Sequence, residues 1–201
     1  IADADGIKVF AKYLTTGAET VYYDINALIQ NNVVYDCEGR FVKTQANGQV
    51  KIDNNSFRVQ NAIELIDNFV GVDCQTGEGL VTNNDFFFND TFTGGASACV
   101  YKAQCQTFSG NKVDICKKIP YVILPTTPAT STTYSFKLYL NILDNIVNVA
   151  DPNSTFTTTD QTTERPSYFM YVNNSSWPTA ANLNGEMHWN IKGNVIDTFD
   201  F

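Results

Sequence analysis

The sequence predicts an all-β protein, an antiparallel β-sandwich or jelly roll with at most one short helix. Three observations support this class. Short segments rich in β-branched and aromatic residues recur along the chain, with Gly, Asn and Asp between them. Phe and Tyr, which favour pleated sheets, are abundant at 14 and 10 residues. Residues 134–142 are apolar at every second position, which is typical of a strand with one face in the core.

The remaining elements follow the same pattern in chain order. Strands are predicted at 7–14, 20–29, 32–35, 40–44, 49–52, 98–107, 112–116, 119–124, 167–172 and 186–199. Residues 61–70 are the one helix candidate, because Ile63, Ile66 and Phe69 recur at helical spacing. The Pro- and Thr-rich stretches 125–133 and 151–166 are predicted to be loops. We find no internal repeat among these segments.

The length of 201 residues fits one domain with its own core. We divide the chain into residues 1–14, an N-terminal tail and candidate donor strand, and residues 15–201, a single β-sandwich domain. The chain begins with Ile1 rather than Met, which indicates processing and favours a secreted protein of the cell surface or exterior.

Charge argues against several classes of partner. The net charge is −8 and only 17% of residues are charged, with Lys and Arg scattered along the chain. No continuous basic face is available for phosphates, so we expect no nucleic-acid partner. There is also no run of about 18 apolar residues, so we expect no membrane span.

The cysteines are better suited to disulfides than to metal binding. None are spaced as C-x-x-C, and His188 is the only histidine. Sequence alone does not select the pairing, although the spacing of the third and fourth could close a short loop. The disulfide candidates are Cys37, Cys74, Cys99, Cys105 and Cys116. N-glycosylation sequons, which would make this a glycoprotein, occur at Asn54, Asn89, Asn153, Asn173 and Asn174.

We predict that the protein is not an enzyme. The chain has no G-x-S-x-G elbow, P-loop or G-x-G-x-x-G motif, and His188 alternates with Met187 and Trp189 in a predicted strand. A glycosidase needs only two carboxylates at a fixed separation, so that alternative stays open.

Calcium is the one cofactor that the sequence suggests. Asp3 and Asp5 are followed by Gly6, and carboxylates at this spacing can begin a Ca²⁺ loop, although the rest of the motif is missing. Further oxygen-rich turns contain Asp36 with Glu38, and Asp53 beside two asparagines. These carboxylates are the candidate metal ligands.

The N-terminus has the layout of a donor strand. The turn-like D-A-D-G precedes I-K-V-F-A-K-Y-L, in which Ile7, Val9, Ala11 and Tyr13 would form an assembly strand that fills a groove in a neighbouring subunit. In this plan the chain resembles donor-strand-exchanging pilins and, most closely, the cannula-type subunits of hyperthermophilic archaea. The resemblance implies calcium-assisted polymerisation by strand exchange.

Two further functional classes remain beside the favoured one. The favoured function is a structural subunit of an extracellular filament or tube, which self-assembles by donor-strand exchange with Ca²⁺ assistance and forms a homopolymer. The alternative is a surface adhesin, a viral surface or capsid protein, or a carbohydrate-binding module, with Trp177, Trp189 or loop tyrosines as stacking platforms for glycans. The third is the glycosidase.

Overall fold

A computed structural model describes residues 5–10, 14–16, 19–21, 24–46, 48–60, 70–75, 77–88, 97–101, 105–115, 121–125, 136–149, 168–170 and 185–197. Every regular element within these ranges is a β-strand, and none of the described residues is helical. The strands are β1 (Ile7–Phe10), β2 (Leu14–Thr16), β3 (Glu19–Val21), β4 (Ala27–Gln30), β5 (Val33–Tyr35), β6 (Val42–Gln45), β7 (Gln49–Asp53), β8 (Ser56–Val59), β9 (Val70–Gln75), β10 (Glu78–Thr82), β11 (Asp85–Phe88), β12 (Ser97–Tyr101), β13 (Cys105–Ser109), β14 (Lys112–Ile115), β15 (Tyr121–Pro125), β16 (Phe136–Leu143), β17 (Ile146–Val149), β18 (Tyr168–Met170), β19 (Gly185–Lys192) and β20 (Val195–Asp197).

These strands form three parallel sheets of six and one short antiparallel hairpin, β2–β3. The first sheet has the order β1-β6-β9-β12-β15-β18, and the second has the order β4-β7-β10-β13-β16-β19. The third has the order β5-β8-β11-β14-β17-β20. From β4 onward, consecutive strands of the chain therefore belong to different sheets, and each strand up to β17 pairs with the strand three places further along. β1 pairs with β6, because the β2–β3 hairpin lies between them in the chain.

This order describes a chain that winds around one axis. β7 lies in the second sheet, β8 in the third and β9 in the first, and β10 then returns to lie beside β7. We call each such turn of three strands a coil. The architecture is a parallel β-helix, in which each coil stacks on the next and the sheets enclose the core.

The predicted antiparallel sandwich or jelly roll is therefore wrong, although the described chain is all-β. Alternation of apolar residues reports that a strand has a buried face, and Gly or Asn reports that a turn follows. Neither signal reports which strand lies alongside or in which direction it runs. The sandwich assigned to 15–201 is replaced by the coil stack, and residues 7–10 of the supposed tail form β1 in the first sheet.

Two further predictions fall mostly on residues that the structure does not describe. Residues 61–69 of the predicted helix lie outside the described residues, and Val70 begins β9. The predicted loop 151–166 lies wholly outside the described ranges, as does 126–133 of the other loop.

The core is built from columns of inward side chains, one from each coil. In the second sheet Ile52, Val81, Phe108 and Ile142 are in register and fully buried. Phenylalanines from neighbouring coils also pack against each other, and the rings of Phe57 and Phe86 lie 5.1 Å apart between centroids, with their planes tilted by 41°. Alternation places every second residue of a strand inward, which explains why the strand segments could be read from the sequence.

The second and third sheets are joined by two residues in every coil. We call these pairs, together, the asparagine corner: residues 31–32, 54–55, 83–84, 110–111, 144–145 and 193–194. The first residue of each pair has a positive φ, between 54° and 70°, and is Asn, Asp or Gly. These residue types tolerate the left-handed conformation best. The second residue is asparagine in all six coils.

The six asparagines form a continuous hydrogen-bonded ladder inside the corner. At Asn84, Oδ1 accepts from the backbone N–H and Nδ2 of Asn55, both at 2.9 Å. Its Nδ2 donates to Ile52 O at 2.9 Å and to Asn111 Oδ1 at 3.0 Å. All four hydrogen bonds of this buried amide are thus made, which removes the cost of burying it.

The corner is an internal repeat, so the conclusion that the sequence has none is wrong. Successive ladder asparagines are separated by 23, 29, 27, 34 and 49 residues. A fixed period does not exist, because the other two connections of each coil vary in length.

Candidate assembly interface at the ends of the coil stack

The C-terminal end of the stack exposes residues that belong to the core columns. Ile191 of β19 is 49% exposed, although Ile142, its neighbour in the same inward column, is fully buried. Trp189 is 48% exposed beside Leu140, which is 1% exposed. Ile196 of β20 is likewise exposed. These three residues have the inward orientation of a core position but no coil above them among the described residues.

The N-terminal end exposes much less of its inner columns. Ile29, which occupies the same inward column as Ile191, is only 7% exposed, and Ala27 and Val34 are partly buried against the core. The exposed apolar residues at this end lie instead on the outer face, and they include Phe10, Leu28, Val33 and Tyr35. The two ends are therefore chemically different surfaces.

The asparagine ladder also ends differently at the two ends. Asn32 donates its backbone N–H and Nδ2 to Asn55 Oδ1, but among the described residues no donor reaches Asn32 Oδ1. Asn194 accepts at Oδ1 from the backbone N–H and Nδ2 of Asn145 and donates Nδ2 to Ile142 O. Its backbone N–H and second Nδ2 hydrogen have no acceptor in the described part of the chain.

A hollow of about 330 Å³ lies on the corner at the N-terminal end. It is lined by Asn31, Asn32, Val33, Asn54, Asn55, Ser56, Asn83 and Asp85. Seven of these eight residues are Asn, Ser or Asp, so the hollow can accept and donate hydrogen bonds.

The candidate metal ligands are not brought together. Asp5 Oδ1 accepts from Arg40 N at 3.2 Å and lies 3.5 Å from Arg40 Nη1, and Lys8 Nζ is 3.9 Å from Asp5 Oδ2. Asp36 has a positive φ, and its Oδ1 accepts from Gln60 N at 2.8 Å. Within the described ranges no group of three or more Asp, Glu, His or Cys side chains could hold a metal ion.

Three candidate metal ligands remain. Glu38 is exposed, and Asp3 lies outside the described residues. Asp53 is buried beside the corner and surrounded by donors. Thr82 Oγ1, Gln30 Nε2 and Asn83 Nδ2 all donate to its carboxylate, at 2.6, 2.9 and 3.0 Å.

The charge of Asp53 is stabilised by these contacts. The hydrogen bond from Thr82 lowers the pKa of the Asp53 carboxyl most, with further lowering from Asn83 and Lys51 against the opposing effect of burial. Lys51 Nζ lies 3.3 Å from the carboxylate. Asp53 therefore acts as an ionised structural group that ties three coils together.

The predicted assembly strand is paired within its own chain. β1 runs parallel to β6, with Ile7 opposite Val42 and Val9 opposite Thr44. Both Ile7 and Val9 pack against the core cluster. Ala11 and Tyr13 lie outside the described residues.

No disulfide joins the four cysteines that the structure describes. Cys74 and Cys99 are buried in the core of the first sheet, and Cys105 lies on the outer face of the second sheet. Burial, with Glu78 nearby, raises the pKa of the Cys105 thiol. Burial, with Asp5 and Asp36 nearby, raises that of Cys37. Both are then poor nucleophiles and metal ligands at neutral pH. Cys116 lies outside the described ranges.

Of the five sequons, the described part of the chain contains only that of Asn54. This residue is exposed at the corner, and its Nδ2 donates to Asn31 Oδ1 at 2.7 Å. Asn89, Asn153, Asn173 and Asn174 lie outside the described residues.

The remaining aromatic candidates lie on the outer face of the second sheet or outside the described chain. His188 is exposed on β19, its ring stacks on Tyr139 at a centroid distance of 4.9 Å, and its Nε2 is 3.2 Å from Glu186 Oε2. Trp177 is not among the described residues. The described ranges contain no helix with the length and hydrophobicity to span a bilayer.

Comparison with protein-family models, with curated proteins and with solved structures gives no match for this chain. Function is therefore inferred from the geometry. The asparagine corner was missed by sequence reasoning, but its signal is present in the sequence. An asparagine preceded by Asn, Asp or Gly, and followed two residues later by an apolar residue, recurs in N-N-V-V, N-N-S-F, N-N-D-F, G-N-K-V, D-N-I-V and G-N-V-I.

Proposed function

We propose that this protein is a structural subunit of an extracellular filament or tube, which self-assembles through the ends of its coil stack. The observation that carries the proposal is the C-terminal end, where Trp189, Ile191 and Ile196 are exposed although they belong to core columns. Burial of such side chains stabilises an interface by roughly 1.5 to 3 kcal/mol each. A surface of this kind is unfavourable in water unless another layer covers it.

The edges of the sheets support the same proposal. β18, β19 and β20 end the three sheets on one side, and β1, β4 and β5 end them on the other. Edge strands offer backbone N–H and C=O groups to a further strand, so a second chain can extend all three sheets. Assembly through the ends of the stack takes the place of the donor-strand exchange that the sequence suggests, because β1 is already paired with β6 in the first sheet of its own chain.

The extracellular location rests on composition. Only 17% of the residues are charged, and a surface rich in Asn and Thr is typical of secreted β-proteins. Calcium assistance is a separate part of the proposal. Three of its candidate ligands, Asp5, Asp36 and Asp53, already accept hydrogen bonds within the chain. A Ca²⁺ ion would therefore have to compete with these donors for the carboxylate oxygens.

Self-association of the chain across a range of concentrations tests the proposal. Sedimentation velocity and negative-stain electron microscopy should show concentration-dependent oligomers and then filaments, with Ca²⁺ and a chelator as separate arms. Ile191→Lys places a charge on the open end and should leave a monomer. Asn190→Lys is the matched control, since Asn190 is exposed on the same strand but lies on the outer face.

Two outcomes would overturn the proposal. The first is a wild-type chain that stays monomeric at every concentration, with or without Ca²⁺. The second is equal behaviour of the two variants. Circular dichroism and thermal unfolding of each variant establish that it is folded before its association is compared.

A further inference from the structure

The asparagine ladder has a direction that runs through all the coils. Each Oδ1 from Asn55 onward accepts from the backbone N–H and Nδ2 of the asparagine one coil earlier, at 2.7 to 3.2 Å. Each Nδ2 from Asn55 onward also donates to a backbone carbonyl of the preceding coil, at 2.8 to 2.9 Å. In the bonds that join one asparagine side chain to the next, the donors therefore face the C-terminal end and the Oδ1 acceptors face the N-terminal end.

A ladder with this direction leaves complementary groups at its two ends. Asn32 presents an Oδ1 acceptor with no donor in the described chain, and Asn194 presents a backbone N–H and one Nδ2 hydrogen without an acceptor there. At the position of the ladder, two N-terminal ends would place Oδ1 against Oδ1, and two C-terminal ends would place donor against donor. Only the unlike ends match.

The outward-facing column of the third sheet also favours contact between unlike ends. Its middle members Ser56, Asp85 and Lys112 are polar, whereas the end members Val33, Ile146 and Val195 are exposed and apolar. Stacking the C-terminal end of one copy on the N-terminal end of another would place Val195 beside Val33. The apolar members would then cover each other and leave the polar ones in solvent.

Resting on the proposed end-to-end assembly, we infer that the partner of each end is the opposite end of a second copy. In this head-to-tail contact the backbone N–H and Nδ2 of Asn194 donate to Asn32 Oδ1 of the next copy. Val33 N of that copy donates to Asn194 O, as Val195 N does to Asn145 O within the chain. The contact uses two different surfaces, so it does not close on itself and continues into a filament.

Variants blocked at one end test this polarity. Ile191→Lys blocks the C-terminal end. Asn32→Lys blocks the N-terminal end, because it replaces the acceptor with a cation that carries only donors. Each variant alone should be monomeric by sedimentation velocity. An equal mixture should form a dimer of one copy of each and nothing longer, which native mass spectrometry identifies by mass.

Other outcomes separate this inference from the proposed function. Dimers of Asn32→Lys alone would show contact between two C-terminal ends, and dimers of Ile191→Lys alone would show contact between two N-terminal ends. Either result overturns the head-to-tail contact but leaves end-to-end assembly in place. A wild-type chain that is always monomeric overturns both. If a blocked variant does not fold, Val195→Lys and Val33→Lys replace it, since both positions are exposed.

A finer pair of substitutions tests the ladder contact itself. Asn194→Asp replaces the donor of the C-terminal end with an acceptor and should weaken association about tenfold or more. Asn32→Asp retains the acceptor of the N-terminal end and should weaken it less than about threefold. Equal losses in the two variants would overturn the ladder contact, and thermal unfolding of each monomer controls for damage to the corner.

Discussion

The asparagine corner has a constant length in every coil, whereas the two other corners of each coil vary in length. The asparagine corner joins the second and third sheets with two residues in all six coils. The corner between the third and first sheets is six residues long at 36–41, but spans 150–167 between β17 and β18. One corner thus conserves its geometry along the whole stack, and the others accept insertions.

The difference follows from where the polar groups go. At the asparagine corner the amides of Asn84, Asn111 and Asn145 are buried, so every donor and acceptor must meet a partner in the adjacent coil. An extra residue there would break several bonds at once. A loop on the surface can leave its polar groups to water, and its closure entropy rises only slowly with length. We therefore expect the asparagine corner to control stability.

The largest expected effect comes from breaking the ladder in its middle. Asn111→Ala removes the acceptor for the backbone N–H and Nδ2 of Asn84 and the donor for Val81 O. Buried groups left without partners cost about 1 to 3 kcal/mol each, so the free energy of unfolding should fall by roughly 3 to 5 kcal/mol. Chemical denaturation measures the change.

Asn190→Ala is the control for that substitution. Its side chain is exposed on β19, and Nδ2 donates to Asn141 Oδ1 over a long distance of 3.4 Å. We expect a change within about 0.5 kcal/mol. Comparable losses at the two asparagines would show that the ladder does not dominate the stability of the stack.

The strands could be predicted from the sequence because their signals are local. The predicted strands at 49–52, 32–35 and 112–116 correspond to Gln49–Asp53, Val33–Tyr35 and Lys112–Ile115. Each has alternating side chains and a turn residue beside it, and both signals survive in any architecture that buries one face of a strand.

The pairing and the candidate interface could not be predicted in the same way. Direction and neighbours depend on residues far apart in the chain, such as Asn145 and Asn194, which are separated by 49 positions. A search for repeats assumes a constant period, and the variable corners remove it. The exposure of Ile191 has no local signal either, because its sequence context is that of a core residue and only the end of the stack uncovers it.

A smaller effect is expected from the left-handed position of the corner. Gly110 has a φ of +63°, and a Cβ built there would lie 2.5 Å from Asn83 Oδ1 of the preceding coil. Gly110→Ala should therefore reduce the free energy of unfolding by about 1 to 2 kcal/mol. Two costs are combined here, backbone strain and the collision between coils.

A double substitution separates those two costs. In the background of Asn83→Gly the side chain that Gly110→Ala would meet is absent, so the remaining cost is the backbone conformation, about 1 kcal/mol. Denaturation of the four proteins of this cycle gives the coupling directly. If the penalty of Gly110→Ala is the same in both backgrounds, adjacent coils do not constrain each other at this position.

The smallest expected effect concerns the carboxylate that ends β7 beside the corner. The hydrogen bonds from Thr82 and Asn83, together with Lys51, lower the pKa of Asp53 in the folded chain below its ordinary value of 3.8. A lowered folded pKa means that the ionised carboxylate contributes stability above this value and loses it as pH falls through the folded pKa. Asp53→Asn should therefore be less stable than the wild type near neutral pH, and the difference should shrink below a pH of about 3.8.

Thermal midpoints of both proteins, measured from about pH 7 down to about pH 2, follow this difference. Asp197→Asn removes an exposed carboxylate on β20 and is the matched control for the loss of charge. A constant difference between the wild type and Asp53→Asn across the acid range would mean that Asp53 contributes by shape and hydrogen bonding alone. In that case the asparagine corner holds its neighbouring coils without help from an ionised group, and its advantage over the variable corners lies entirely in the amide ladder.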